Sequence, residues 1–374
     1  MNQNPLMYEY KYNKYKQKYL ALKEQAIFEK GDSFKQKYLA PALLKKKSLS
    51  FDLLENSLQF NMKTIQLKND IQLLNDDKLL MTSRKDDVLC LLNKKLTKEQ
   101  SLEYFEFLEQ WLDFKLFASE QIKLTCARKN ITICSSESIN NFKIKNNEIV
   151  KKWLNLTHKL LDKKHIIDNN FINTQILNIE LLGYNLLETD KAIIGKAFDS
   201  YLLCNVFPAP FSIAGILIEK QKRGCNEIKS DDITALITVS EHCLSMATYW
   251  YRHPPQFLTP RELTELIVLS IFHDIFYYQD FVRHDEMTLE LFKPYIQSDM
   301  IKEVIGTHID FIPNENEEEN SKIKPIDKLK QDWTKMDWYL TSTTLERKSK
   351  ENEHLHILPL EFFYKHIGDF LTNV

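Results

Sequence analysis

Glycine is scarce in this chain. There are seven glycines in 374 residues, and none lies between Gly31 and Gly183. Doubly wound α/β folds and α/β barrels need glycine at tight turns and in phosphate-binding loops, so this scarcity argues against both. Leu, Lys, Glu and Ile dominate instead. The composition therefore predicts an all-α protein.

Several other features are missing as well. The six cysteines form no CxxC pair, so we expect reduced core thiols. No apolar run reaches about 18 residues, and the first residues, MNQNPLMYEYKYNKYK, contain no apolar signal core. We therefore expect no membrane span, no secretory signal peptide and a cytoplasmic location. The net charge of −2 argues against a general electrostatic attraction to nucleic acid.

Two regions are predicted along the chain. Residues 1–170 form a helical N-terminal region of unknown role, and residues 171–374 form a second domain; a polar, poorly periodic stretch separates them. The N-terminal region is expected to begin with basic helices, because Tyr8, Tyr12, Tyr15 and Tyr19 have the spacing of a helical stripe. A protein partner that binds these helices is one hypothesis for their role.

The stretch TELIVLSIFHDIFYYQD (264–280) places a polar pair inside an apolar run. This apolar run predicts a buried helix that carries His273 and Asp274. The preceding LTPREL (258–263) predicts the start of this helix, with Thr259 as the N-cap, Pro260 as the first helical residue and Glu262 completing a capping box. Because burying an unpaired carboxylate costs several kcal/mol, a hydrogen-bond network or a cation must compensate.

Further ligands have to come from other helices, and His242 in VSEHCLSM and Asp337 in KMDWYL are candidates. His284 and His308 lie between the His-Asp pair and Asp337, each beside a carboxylate.

The order His, His-Asp, Asp resembles the HD superfamily of metal-dependent phosphohydrolases. The segments FHDIFYYQDFVRHDEMTLELF (272–292), IKEVIGTHIDF (301–311) and KMDWYLTST (335–343) are similar to a subgroup of predicted metal-dependent HD phosphohydrolases. The resemblance covers about residues 230–345 and does not extend to the first 170. It implies an HD-domain helical bundle that is preceded by the helical N-terminal domain.

The resemblance also implies a set of metal ligands. They are His242, His273, Asp274 and Asp337, with His308 as a ligand of a second metal or a contact to phosphate. The subgroup's usual His-Asn pair is replaced by TVSEHC, so His242 is assigned by spacing. A mixed N/O site of this kind suits Mn, Fe, Co, Ni or Zn, and Mg where fewer histidines bind. Because His284 follows Asp274 closely, we expect one metal rather than two.

Catalysis at such a site needs an acid for the leaving alcohol. Asp280, Asp285 and Glu286 follow the His-Asp pair and are the candidates, and Asp274 completes the predicted catalytic set. Glu286 matches the acidic pair of the family best. The expected substrate is a small-molecule phosphoester, with nucleotides among the candidates.

Two alternatives remain open at this point. In the first, the HD module is catalytically inactive and acts as a metal- or nucleotide-binding sensor or as a protein-interaction scaffold. In the other, the buried histidines are hydrogen-bonded parts of a helical bundle without a metal.

Overall fold

The computed structural model describes residues 78–129, 136–163, 170–222, 224, 228, 236–280, 284–306, 324–342 and 357–372. The fold is all-α, as predicted, and the described residues contain no β-sheet; a single antiparallel bridge joins Pro208 to Thr238. The helices are α1 (Lys85–Leu92), α2 (Lys98–Lys129), α3 (Ser136–Lys163), α4 (Asn170–Leu181), α5 (Glu188–Leu203), α6 (Pro210–Lys222), α7 (Val239–Arg252), α8 (Pro260–Phe272), α9 (His284–Phe292), α10 (Asp299–Gly306), α11 (Pro325–Ser342) and α12 (Tyr364–Thr372). Short 3-10 helices follow α9 at Lys293–Tyr295 and precede α12 at Leu360–Phe363.

The chain divides into two compact units. One comprises Met1–Asp77 and Leu112–Ile144, and the other comprises Lys78–Trp111 and Lys145–Val374. The second unit carries the His-Asp pair. It includes α1, the first part of α2 and most of α3, which come from the predicted N-terminal region. The boundary predicted at residue 170 stays a prediction.

Helix α8 forms the centre of the second unit. Every residue from Glu265 to Phe272 is buried. Helix α8 packs against α7, α10 and α12, while α11 packs against α6, α7 and α10. A helical segment that is buried on every side belongs in the interior of a bundle, as the apolar sequence from Leu266 to Phe272 predicts.

The start of α8 agrees with the sequence prediction. Thr259 is the N-cap and Pro260 the first helical residue, and Thr259 and Glu262 form a reciprocal capping box. Thr238 and Glu241 form a second capping box at the start of α7. These caps set the register of the two helices that lead to the site.

A buried charge ties α8 to the C-terminal helix. The Glu265 carboxylate accepts a hydrogen bond from Arg261 Nε at 3.0 Å and others from the backbone N–H groups of Gln297 and Ser298 at 2.9 and 3.1 Å. Arg261 also donates to the carbonyl oxygens of Tyr295, Asp369 and Phe370. The network satisfies a carboxylate that has no exposed surface.

Aromatic side chains join α2 and α3 to the turn that follows α8. The Tyr278 ring stacks on Trp153 with centroids 5.3 Å apart, and its hydroxyl lies 3.2 Å from the Tyr104 hydroxyl. Tyr104 in turn donates to the carbonyl of Pro208 at 2.7 Å, and its ring stacks on Phe207. The turn after α8 is therefore packed against helices from the beginning of the described chain.

Candidate metal centre

His273 and Asp274 lie at the end of α8 and not inside a longer helix. The helix ends at Phe272, His273 is its C-cap with helical dihedral angles (φ −61°, ψ −36°), and residues 274–279 form turns. The prediction of a continuous helix through the pair was wrong on this point. His273 has no exposed surface and Asp274 is 7% exposed, so burial of the pair agrees with the apolar surroundings in sequence.

The orientation of the His273 ring is fixed by the last turn of α8. Its Nδ1 lies 2.8 Å from the carbonyl oxygen of Ser270, so Nδ1 carries a proton and donates it. The other ring nitrogen, Nε2, lies 3.4 Å from Asp274 Oδ2 and 3.6 Å from Asp337 Oδ1. A backbone carbonyl that holds one ring nitrogen and directs the other inward is typical of metal-ligating histidines.

His242 comes from α7 and Asp337 from α11. His242 Nε2 lies 2.9 Å from Asp337 Oδ1 and 3.9 Å from Asp274 Oδ2. The His242 and His273 rings meet edge to face with centroids 5.3 Å apart. One potential ligand atom from each of His242, His273 and Asp337 lies within 4.8 Å of the others, and these residues could hold a metal ion.

Asp274 lies between this group and a further histidine. While Oδ2 of Asp274 faces His242 and His273, Oδ1 lies 2.9 Å from Nε2 of His284, the first residue of α9. Sequence reasoning left His284 out of the ligand set, although its position next to Asp285 was noticeable. The hydrogen bond between His284 and Asp274 holds the carboxylate in one orientation.

The electrostatics of the group favour anionic carboxylates around a positive charge. Burial alone would lower the pKa of the His273 imidazole, but the charge of Asp274 raises it well above its usual value. Burial would raise the pKa of Asp337, and hydrogen bonds from His242 and His273 outweigh this effect and lower the pKa. The pKa of Asp274 is also lowered, because His273 and His284 outweigh the effect of burial.

The carboxylates of the site are slightly exposed, and its two inner imidazoles are not. The Asp337 and Asp274 side chains are 17% and 10% exposed, whereas those of His242 and His273 have no exposed surface. Trp333, on the same helix as Asp337, packs edge to face on His273 with centroids 5.5 Å apart. The exposed surface of this group of four residues therefore lies on its carboxylates and not on its imidazoles.

The predicted acids lie around the start of α9. Asp285 is 1% exposed, and its Oδ1 accepts the backbone N–H of Glu286 at 2.8 Å. Glu286 is half-buried in the first turn of α9, and Asp280 is half-buried at the end of the preceding turns. Their catalytic roles stay predictions. His308 lies outside the described residues.

No protein-family model, curated protein or solved structure matches the chain. Among the described residues, no helix combines the length and the apolar character that crossing a membrane requires.

Proposed function

We propose that this chain is a metal-dependent phosphohydrolase of the HD type. The observation that carries the proposal is the orientation of His273. Its Nδ1 donates to a backbone carbonyl, so its Nε2 faces two carboxylate oxygens and must hold either a proton or a metal ion there. A divalent cation held by the same atoms would take the place of that proton.

The donor set fits a divalent transition metal. Imidazole nitrogens of His242 and His273 and carboxylate oxygens of Asp337 and Asp274 suit Mn, Fe, Co, Ni or Zn. A cation held by these four residues would supply Lewis-acid activation of water and of the phosphoryl group. Elemental analysis of the purified protein identifies the metal.

The other residues position the reactants. His284 holds Asp274 so that its Oδ2 stays directed at His242 and His273. Glu286 is the preferred candidate to protonate the leaving alcohol, because it is half-buried and follows His284 by two residues. Because the imidazoles of His242 and His273 have no exposed surface, the substrate's phosphate approaches from the side of the carboxylates.

The test combines metal content with phosphate release. The wild-type chain is loaded with each candidate metal and assayed on a panel of nucleotides and other small phosphate esters. Wild type should release phosphate only when loaded, and Asp337→Asn should release none. Asp332→Asn, on the same helix, is the matched control and should behave as wild type.

Two results would contradict the proposal in different ways. Bound metal without turnover of any ester would favour an inactive, ligand-sensing module. No bound metal in a folded protein would favour a cluster of hydrogen-bonded histidines.

A further inference from the structure

Two half-buried aromatic rings lie beside the imidazoles of the metal centre. The Phe211 ring, in the first turn of α6, meets the His242 ring edge to face with centroids 5.3 Å apart. The Tyr277 ring meets the His284 ring in the same way at 5.8 Å. Phe211 and Tyr277 also contact each other at 5.9 Å, and we call this pair the aromatic wall.

Both rings of the aromatic wall contact histidines of the metal centre, and Asp274 connects these histidines to each other. Asp274 connects the two imidazoles, since its oxygens lie 3.9 Å from His242 Nε2 and 2.9 Å from His284 Nε2. The backbone also fixes this arrangement, because the N–H of Tyr277 donates to the carbonyl of Asp274 at 2.9 Å. The rings are therefore held at a fixed place relative to the candidate metal ligands.

The aromatic wall differs from the rings of the core around it. Trp111 and Tyr278 lie against Tyr277 and are each 2% exposed, and Trp333 behind His273 has no exposed surface. Phe211 and Tyr277 are half-buried. Asp274 and Asp337, which are also partly exposed, contact the same histidines as these two rings. Apolar ring surface left in water next to a polar opening is a feature of ligand sites.

We propose that the aromatic wall binds the planar base of a nucleotide whose phosphate lies at the metal centre. This inference rests on the proposed function and narrows its substrate class to phosphate esters that carry an aromatic base. Stacking on an aromatic side chain recognises the face that every nucleobase presents, so the wall selects nucleotides over sugar phosphates without selecting one base.

The test measures binding without turnover. The full-length, metal-loaded chain is titrated by calorimetry with phosphonate analogues of adenosine 5′-monophosphate and ribose 5-phosphate, in which carbon replaces the bridging ester oxygen. Wild type should bind the adenosine compound at least about tenfold more tightly, in line with the effect of one base-stacking interaction. Phe211→Leu should reduce this preference to below about threefold.

Further variants separate the ring from general packing. Tyr277→Leu should lower the preference as Phe211→Leu does, whereas Tyr277→Phe should retain it. Phe362→Leu is the matched control, because Phe362 is 41% exposed and its ring contacts Tyr251 and Phe363. It should leave the preference unchanged. Metal content is measured for each variant.

If metal-loaded wild type bound the two compounds with equal affinity, the proposed role of the aromatic wall would be wrong and the proposed hydrolase function would be unaffected. A preference that survives in both Phe211→Leu and Tyr277→Leu would also overturn it. Failure of the metal-loaded chain to bind either compound would instead contradict the proposed function, and this inference with it.

Discussion

Oδ1 of Asp337 lies 2.9 Å from Nε2 of His242, although 95 residues separate the two in the chain. This pairing brings α7 and α11 together at the end of α8, where His273 and Asp274 lie. Under the proposed function both residues bind the metal ion, so replacing either one should weaken metal binding.

Asp337→Asn should weaken metal binding at least about tenfold, because a neutral amide replaces a charged ligand. Titration calorimetry with the best-bound metal measures the change. Asp332→Asn removes a half-buried carboxylate five residues earlier on the same helix and should keep the wild-type affinity. Equal affinities in all three proteins would remove Asp337 from the site.

Removal of the metal should lower the melting temperature of the wild-type chain. At a metal concentration of about 100 times Kd, binding stabilises the folded state by about 2.7 kcal/mol, which corresponds to several degrees. Calorimetric scans with and without a chelator measure the shift. Asp337→Asn should show little or no shift, and a full shift in that variant would place the stabilising metal elsewhere.

Glu265→Ala should destabilise the fold by about 3–5 kcal/mol, because it leaves Arg261 and two backbone N–H groups without a buried carboxylate. Urea unfolding followed by circular dichroism measures the loss. Glu361→Ala changes an exposed glutamate and should alter the free energy of unfolding little. A small loss at Glu265 would mean that water replaces the carboxylate easily.

Gly368→Ala should destabilise the fold by about 1–3 kcal/mol, since the added Cβ would overlap the Tyr184 ring. That ring is held in place by a 2.7 Å hydrogen bond from its hydroxyl to Asp369. Gly195→Ala is the contrasting change, because its Cβ would meet Ile172 at an ordinary 3.5 Å. It should stabilise α5 by up to about 1 kcal/mol, as alanine does within helices. Thermal unfolding of both variants should give shifts of opposite sign.

The lowered pKa of Glu262 leads us to expect that the folded state loses stability in acid. Burial would raise the pKa of its carboxyl, but hydrogen bonds from Thr259 and Ser298 outweigh burial and hold the pKa below its ordinary value of 4.5. A lowered pKa in the folded state means that the contribution to stability is present above pH 4.5 and is lost as the pH falls through the folded-state value.

Wild type should therefore be more stable than Glu262→Ala by about 0.5–1.5 kcal/mol at neutral pH. The difference should shrink as the pH falls below 4.5, measured by urea unfolding at a series of pH values. A difference that stays constant down to pH 3 would mean that the charge of the carboxylate contributes nothing.

Local patterns predicted the start of α8 but not its end. The capping box of Thr259 and Glu262 depends on residues three apart, and both its position and its form were confirmed. The helix end at Phe272 was missed, because an apolar run that is buried throughout has the same pattern in a helix and in a buried turn.

The contact between His284 and Asp274 could not be predicted for a related reason. It depends on the path of the chain between α8 and α9, and tertiary packing decides that path. His242, His273 and Asp337 were proposed together as what the resemblance to the HD superfamily implies. Their proximity in space depends on α7 and α11 packing against their neighbours, which no single segment encodes.

The contacts of Tyr278 determine which fragments of this protein can be studied separately. It follows Asp274 by four residues, yet its ring and hydroxyl meet Trp153 and Tyr104, which precede residue 170. A fragment starting at residue 171 would lack both partners and leave a large aromatic surface in water, at the turn that carries the candidate ligands. If such a fragment failed to bind metal, the loss of the contacts to Trp153 and Tyr104 would explain the failure, and the result would not bear on metal binding by the intact chain.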